Sequence, residues 1–314
     1  MSSAFTSLDA VLLVAGAPSV TLYILVLISL VRNRAHPVLG GSFFRLSVFL
    51  GVADVAASAL RYVLIKAPNW GILVRQVFWP NQWLATLTPM LGTGLLTFEN
   101  VLVILIAANR LTAVAMPALY RKVWTTGVTN FLVGIAAVMS LWPVPAMLYT
   151  FTPFYYATLN DTQGVVMITI GYRNEMFMAM SIGATVILST FVSAVFYAAA
   201  TAHLVLHRFK ISRAAGTSND GDKKLEQRLA ICGFIIFASQ LFLCYSYVNP
   251  MFGLTSFQTT VTIWFVAMDT FVYINPYSIL LMSKEARNAF LCAYGCVAFT
   301  GARRSAVVAV TGTK

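Results

Sequence analysis

Three carboxylates stand among residues that are almost all apolar: Asp54, Glu99 and Asp269. An acid inside a hydrocarbon-crossing helix costs about 2.5–3.5 kcal/mol on insertion scales, so each is a candidate for function. Asp54 follows Phe43 by 11 residues and Glu99 precedes Arg110 by 11. At a rise of ~1.5 Å per residue, both lie roughly 16 Å from the same face of the layer. Asn275, 8 residues before Ser283, lies roughly 12 Å up its own run. If the helices face one another, these side chains form one polar layer. Two carboxylates there either share a proton or bind a cation, because close anions repel strongly in low dielectric. The alternative is that both are neutral and bonded to helix backbone or to Ser and Asn partners. Asp269 stands one and a half turns from Asn275 toward the opposite face. It either faces a ligand cavity or is protonated and bonded internally. Arg45 and Arg61, near the two ends of one apolar run, are expected to snorkel to the interfaces. Pairing of Arg61 with an acidic ligand is the competing reading.

Other chemistries find no residues to carry them. The three histidines are His36, His203 and His207, and no His-Glu-x-x-His, paired-Asp or Gly-x-Ser-x-Gly arrangement is present. Neither catalysis nor a metal or other cofactor is expected. Residues 257–282 contain no Lys, which excludes a Schiff-base chromophore in that run.

The elements that must position these residues are helices. The chain is 59% hydrophobic and 10% charged, where a soluble domain would carry about a quarter charged residues. Seven apolar runs are each long enough to cross a hydrocarbon core of roughly 30 Å. They span 9–31, 43–65, 86–108, 129–150, 176–206, 229–250 and 257–282. The expected fold is an all-α membrane protein, a seven-transmembrane helix bundle over residues 1–300 with a tail at 301–314. The first run lacks a basic flank and is expected to stay as an uncleaved first helix.

The loops carry basic residues unequally. One set holds 4 (Arg61, Lys66, Arg75 and Arg173) and the other holds 17. The positive-inside rule then places the amino terminus outside and the carboxyl terminus in the cytosol. The net charge of +11 is therefore a topology signal spread over separate loops, and no nucleic-acid partner is expected. The sequon Asn160-Asp161-Thr162 falls in a loop assigned outside, where Asn160 can be glycosylated. Cys232 and Cys244 lie inside the sixth run, Cys292 and Cys296 after the seventh. None falls in an outside loop, so no extracellular disulfide is expected.

At the inner end of the third run the chain reads Asn109-Arg110-Leu111-Thr112, then Pro117, Tyr120 and Trp124. The seventh run carries Asn275-Pro276-Tyr277 and the second carries Leu50-Gly51-Val52-Ala53-Asp54. Together these resemble the arginine, Asn-Pro and L-x-x-A-D motifs of rhodopsin-like G-protein-coupled receptors. The N-R-L-T…P…Y…W form is similar to that of the nematode serpentine chemoreceptors, of the gamma class or class V. The usual acid before the arginine is replaced by Asn109. The fifth run lacks a proline and the sixth lacks Trp-x-Pro. Many seven-helix receptors tie the outer end of the third helix to the next outer loop by a disulfide, which this chain cannot form.

The resemblance implies a plasma-membrane chemosensory receptor that binds a small-molecule ligand within the bundle and activates a heterotrimeric G protein. It implies coupling through Arg110, Asn109 and Tyr120, and switching through Asp54, Glu99, Asn275, Pro276 and Tyr277. Glu226, at the inner start of the sixth run, is the candidate resting partner of Arg110, and pairing with its own neighbours Lys223 or Lys224 is the competing reading. A polytopic transporter or channel using the intramembrane acids as an ion or proton path is the alternative. After Ser283, a helix cap, Phe290, Leu291, Tyr294 and Val297 recur at helical spacing. They predict a short amphipathic helix on the lipid interface, where Cys292 and Cys296 either accept palmitate or stay unmodified.

The basic asymmetry makes topology testable. An epitope tag at residue 1 should be labelled by antibody on intact cells, and a tag after Lys314 only after permeabilisation. The reverse pattern would overturn the orientation.

Overall fold

The computed structural model describes residues 7–142, 145, 154–158, 165–169, 172–215, 220–251 and 256–294. Helix α1 covers Ser7–Arg32, with Asp9 in its first turn and Arg32 in its last, each opposite in sign to the helix-end charge it meets. Helix α2 covers Ser42–Leu60. It continues through π-helical turns at Arg61–Lys66 and a last turn at Ala67–Asn69. Pro68 has no N–H to give and its ring crowds the carbonyl one turn back, and the helix widens just ahead of it.

Helix α3, Trp83–Ala115, is the central strut. At 33 residues it is roughly 50 Å long, and it packs on α2 and on the helices that follow. It stops where Pro117 opens the short helix α4, Pro117–Val123. Helix α5, Thr126–Met139, leaves α4 at 70°. The Thr125 side chain caps α5 by accepting from the Val128 N–H at 3.4 Å. Helices α6 (Tyr172–Ala215), α7 (Asp220–Met251) and α8 (Phe257–Met282) complete the bundle.

The helices follow the order of the apolar runs. Among the described residues four are long and apolar enough to cross a membrane, or six if each helix pair bent at a short break is one span, and Phe234–Asn249 is a shorter apolar helix. The surface confirms the surroundings. Val14, Val52, Phe131, Leu188, Phe191 and Phe234 are exposed, while Asp54, Asn100, Asn109, Gln240 and Asn249 are buried. Polar inside and apolar outside is the pattern of a protein dissolved in lipid. Hydroxyls follow the same logic: Ser47, Thr88, Thr97 and Thr190 each donate to the carbonyl one turn back, satisfying themselves without water.

Several expected boundaries shift. The fourth run, expected over 129–150, is helical from Thr126 and turns at Ser140–Trp142; most of its second half lies outside the described residues. Helices α6 and α7 extend well past 206 and before 229. The all-α expectation also meets an antiparallel hairpin, β1 (Phe154–Thr158) with β2 (Val165–Thr169), Phe154 opposite Thr169. This hairpin does the work of the absent disulfide. The Phe154 N–H donates to Thr86 Oγ1 at 3.0 Å and the Tyr156 N–H to Gln82 Oε1 at 2.8 Å. Tyr156 also packs edge-on against Phe78, ring centroids 5.4 Å apart.

Beyond Ser283 the chain turns by 97° into helix α9, Lys284–Ala293. Ser283 Oγ accepts from the Ala286 N–H at 3.0 Å. The Arg287 guanidinium donates to the carbonyls of Leu280 and Leu281 at 3.0 Å each, closing the end of α8. Ala286, Ala289 and Phe290 pack on Val26, Leu30 and Ile279, and the Tyr294 hydroxyl donates to the Leu25 carbonyl at 2.9 Å. The expected amphipathic helix is therefore present and anchored on α1. Cys292 on it is exposed; Cys296 lies outside the described residues.

Gly51 sets the approach of α1 to α2. A Cβ there would come within 2.6 Å of Leu27 Cδ2 and 2.8 Å of Tyr23 Cε2. Gly51→Val should therefore cost about 1–3 kcal/mol, the usual range for overpacking. The check is thermal unfolding of the purified variant, where a midpoint equal to wild type would show that the helices part freely.

Candidate functional site

Three polar centres lie along the bundle between the hairpin end and the end that carries Arg110. Nearest the hairpin, the π-helical turns bring Arg61 and Lys66 inward, toward Asp269 on α8. Lys66 Nζ lies 3.3 Å from Asp269 Oδ2, and Arg61 Nη2 lies 3.5 Å from Oδ1. Tyr62 donates to the same carboxylate at 3.1 Å and lies 3.3 Å from the Tyr273 hydroxyl. Lys66 also stands over the rings of Tyr62 and Phe265, 4.3 and 4.8 Å from their centroids. This corrects two expectations. Arg61 is 5% exposed and Lys66 1%, so Arg61 does not snorkel and Lys66 is not a loop residue. Asp269, expected either to face a ligand cavity or to be protonated and bonded internally, is not among the residues that line the cavity and pairs inside the bundle with Arg61 and Lys66.

Beside this cluster lies a cavity of about 390 Å³. Its walls are mainly apolar, with Leu96, Ile182, Val261, Trp264 and Met268 among them, and Phe154 of the hairpin contributes to the lining. Arg61 and Glu99 are its two charged residues. Volume and lining match the usual small-molecule site, roughly 300–1,000 Å³ with few polar groups.

The second centre is the layer that the depth estimate anticipated. Asn275 Nδ2 donates to Asp54 Oδ2 at 2.7 Å. Glu99 adjoins Asp54 closely enough for the two carboxyl groups to interact. All three are buried. A residue absent from the sequence reading completes it: the Tyr23 hydroxyl, on α1, donates to the same Oδ2 at 2.6 Å. One tyrosine in an apolar run gives no sign of what it faces, so only the packing at Gly51 reveals it. Pro276 is buried beside Asn275, but Tyr277 points away. It is 44% exposed and its hydroxyl lies 3.2 Å from Ser19 Oγ on α1. Tyr277, implied as a switch residue, thus lies outside the polar layer, because two residues along a helix from Asn275 is about 200° around the axis.

The third centre surrounds Arg110. Its guanidinium stands 4.7 Å from the Phe43 ring centroid and 5.7 Å from that of Tyr197. A small cavity of about 30 Å³ separates it from the polar layer, and Tyr23, Asn275 and Arg110 all line that cavity. It exceeds the roughly 10–15 Å³ that one water needs. On the other side Arg110 lines a cleft of about 640 Å³ with residues of α6 and α7, including Tyr197, Leu204, Phe234 and Phe237.

The residues around Arg110 explain their own spacing. Asn109 Nδ2 donates to Ser42 Oγ at 2.8 Å, and Ser42 Oγ lies 3.0 Å from the Tyr120 hydroxyl. Trp124 Nε1 donates to Thr112 Oγ1 at 2.6 Å. The turn through Pro117 folds α4 back against α3, so Tyr120 and Trp124 meet the helix that precedes them. Arg45 Nη1 donates to Asn130 Oδ1 at 3.3 Å, tying α2 to α5. Asn160 and the Glu226 side chain lie outside the described residues.

Residues 13–296 match the family described as serpentine type 7TM GPCR chemoreceptor Srv. The chain belongs to this family. It is also 25% identical over 274 residues to serpentine receptor class V-1 of Caenorhabditis elegans, an overlap of 86% of this chain and 84% of that protein. The seven-helix, multi-pass membrane architecture is thus that of an Srv chemoreceptor, and the chain is not an enzyme. Of the two nematode classes named from the motifs, the match falls on class V.

In this Srv receptor the polar layer has a measurable signature. Tyr23→Phe should destabilise by about 1–3 kcal/mol, the cost of leaving a buried acceptor without its donor. In an Asp54→Asn background the same change should cost clearly less. Thermal or denaturant unfolding of the four-member cycle reads the coupling, and additive effects would mean that the two groups do not interact.

Proposed function

We propose that this chain is a chemosensory receptor of the plasma membrane, amino terminus outside, that binds a small extracellular ligand in the 390 Å³ cavity and activates a heterotrimeric G protein at the cleft beside Arg110. One observation carries the reading: a line of shared residues, bridged at one point by a small cavity, links the ligand cavity to the cleft. Glu99 belongs to both the cavity wall and the polar layer. Asp54 holds Asn275. Asn275 and Arg110 line one small cavity, and Arg110 lines the cleft. A ligand that moves Glu99 changes what Asp54 must satisfy, and so biases the helices that carry Arg110. The coupling free energy this demands is modest, typically about 1–3 kcal/mol.

Arg110 acts in this scheme as a permanent charge with a rigid five-donor fork, standing over two aromatic faces at the wall of the cleft. Asn109 and Tyr120, joined through Ser42, hold the end of α3 and α4 in register for that partner. The same line of buried acids would also serve a proton or ion path. Membership of the Srv family favours the receptor.

Arg110→Ala should abolish ligand-evoked G-protein activation while surface expression and ligand binding persist, and Arg110→Lys should restore little of it. The readout is nucleotide exchange on the G protein in membranes from expressing cells. Full activation by Arg110→Ala, or a ligand-evoked current in membranes free of G protein, would sink the coupling role.

A further inference from the structure

The cavity has a chemical direction. Arg61 lines it at the hairpin end and is almost wholly buried, its side chain 6% exposed. Among the described residues its polar contacts run through one nitrogen: Nη2 lies 3.3 Å from Ser58 Oγ and 3.5 Å from Asp269 Oδ1. Nε has no hydrogen-bond partner among the described residues. An arginine that meets a carboxylate fully does so through two parallel bonds of roughly 2.7–2.9 Å. Asp269 cannot offer that, because its shorter contacts go to Lys66 and Tyr62. Asp9 on α1 adds its negative charge at Lys66 and is not among the residues that line the cavity. The guanidinium is therefore a permanent charge with donors to spare, at the wall of a mainly apolar cavity.

The other charged wall residue fixes the orientation. Glu99 adjoins Asp54, and Asp54 lies seven residues before Arg61 on α2, about 10 Å deeper. At that depth the wall offers an anion no positive partner, and at Arg61 it does. We infer that this cavity takes a small amphiphilic acid, its single anionic headgroup against Arg61 and its apolar body against Leu96, Val261, Trp264 and Met268. The inference rests on the reading of the chain as a ligand-binding receptor and names the ligand class. The shared chemistry is one anionic headgroup on one hydrocarbon body, from a free acid or from an anionic lipid entering between helices.

The test uses the full chain in phosphatidylcholine nanodiscs, with hexanoate, octanoate and decanoate as probes. Methyl octanoate, octylamine and octanesulfonate serve as matched controls. Isothermal titration and the shift in unfolding midpoint read binding without any G protein. The acids and the sulfonate should bind and raise the midpoint, and the ester and amine should not. Octanoate binding should fade below about pH 4.5, where a carboxyl group gains its proton, and sulfonate binding should persist there. Arg61→Gln should weaken both anions roughly ten- to hundredfold, the loss of one charge-assisted bond. That variant keeps the Lys66–Asp269 pair. Should it fail to fold, the pH contrast between octanoate and sulfonate on the unaltered chain decides alone. Competition when phosphatidylserine is added to the discs assigns the site to a lipid headgroup, and no competition assigns it to the free acid; both keep the anion. Equal binding of ester and acid, binding of the amine in place of the acids, or no binding by any anion overturns the inference. Octanoate binding without a G-protein response leaves the ligand class standing and removes the signalling proposal instead.

Discussion

A carboxylate in the middle of a hydrocarbon layer must find its donors inside the protein, and Asp54 finds two. Tyr23 comes from α1 and Asn275 from α8, and both donate to the same oxygen. No water-rich phase offers a substitute, so three helices are held in one relative position by a single atom. The packing around it is built to the same measure. Gly51, one turn before Asp54, lets α1 come close enough for the tyrosine to reach, and the apolar core of Leu46, Leu50, Leu102 and Phe271 closes over the layer. Polar contact fixes the register, and apolar contact with lipid and core supplies the bulk of the cohesion.

The second organising constraint is that buried cations need company. Lys66 and Arg61 enter the bundle only because Asp269 is there to meet them, and the aromatic faces of Tyr62 and Phe265 share the load at Lys66. Breaking such a group by removing one partner is far costlier than never having built it. The division of Asp269 between two cations is uneven, and the less satisfied one borders the cavity.

Much of this was legible in the residues. Apolar runs gave the helices, because length and hydropathy are what a bilayer tests. The equal depth of Asp54 and Glu99, with Asn275 close by, was arithmetic on helical rise, and the helices do bring them together. Ser283 as a cap followed from the charged turn after it. What could not be read was direction around a helix. Tyr277 and Asn275 are near neighbours in sequence yet face different surroundings, and Arg61 looked like a helix-end residue until the π-helical turns carried it inward. The hairpin was missed because its ten paired residues sit in an aromatic-rich loop whose composition also suits a lipid interface. The pairing of Asn109 with Tyr120 through Ser42 depends on a turn at Pro117 whose angle no residue spacing encodes.

The widened turns of α2 at Arg61–Lys66 have a consequence for how such a chain can change. A π-helical segment is an α-helix carrying a surplus residue. Deletion of one codon there lets the helix close to its ordinary pitch, and the residues inside the segment shift around the axis by about 100° each. Asp54 lies on the near side of the break and keeps its partners. Arg61, Ile65 and Lys66 would exchange places around the axis, and the cavity would present a different wall. A single triplet can thus reset what this face of the bundle recognises without disturbing the joint beneath it, a larger step in chemistry than any one substitution at the same site.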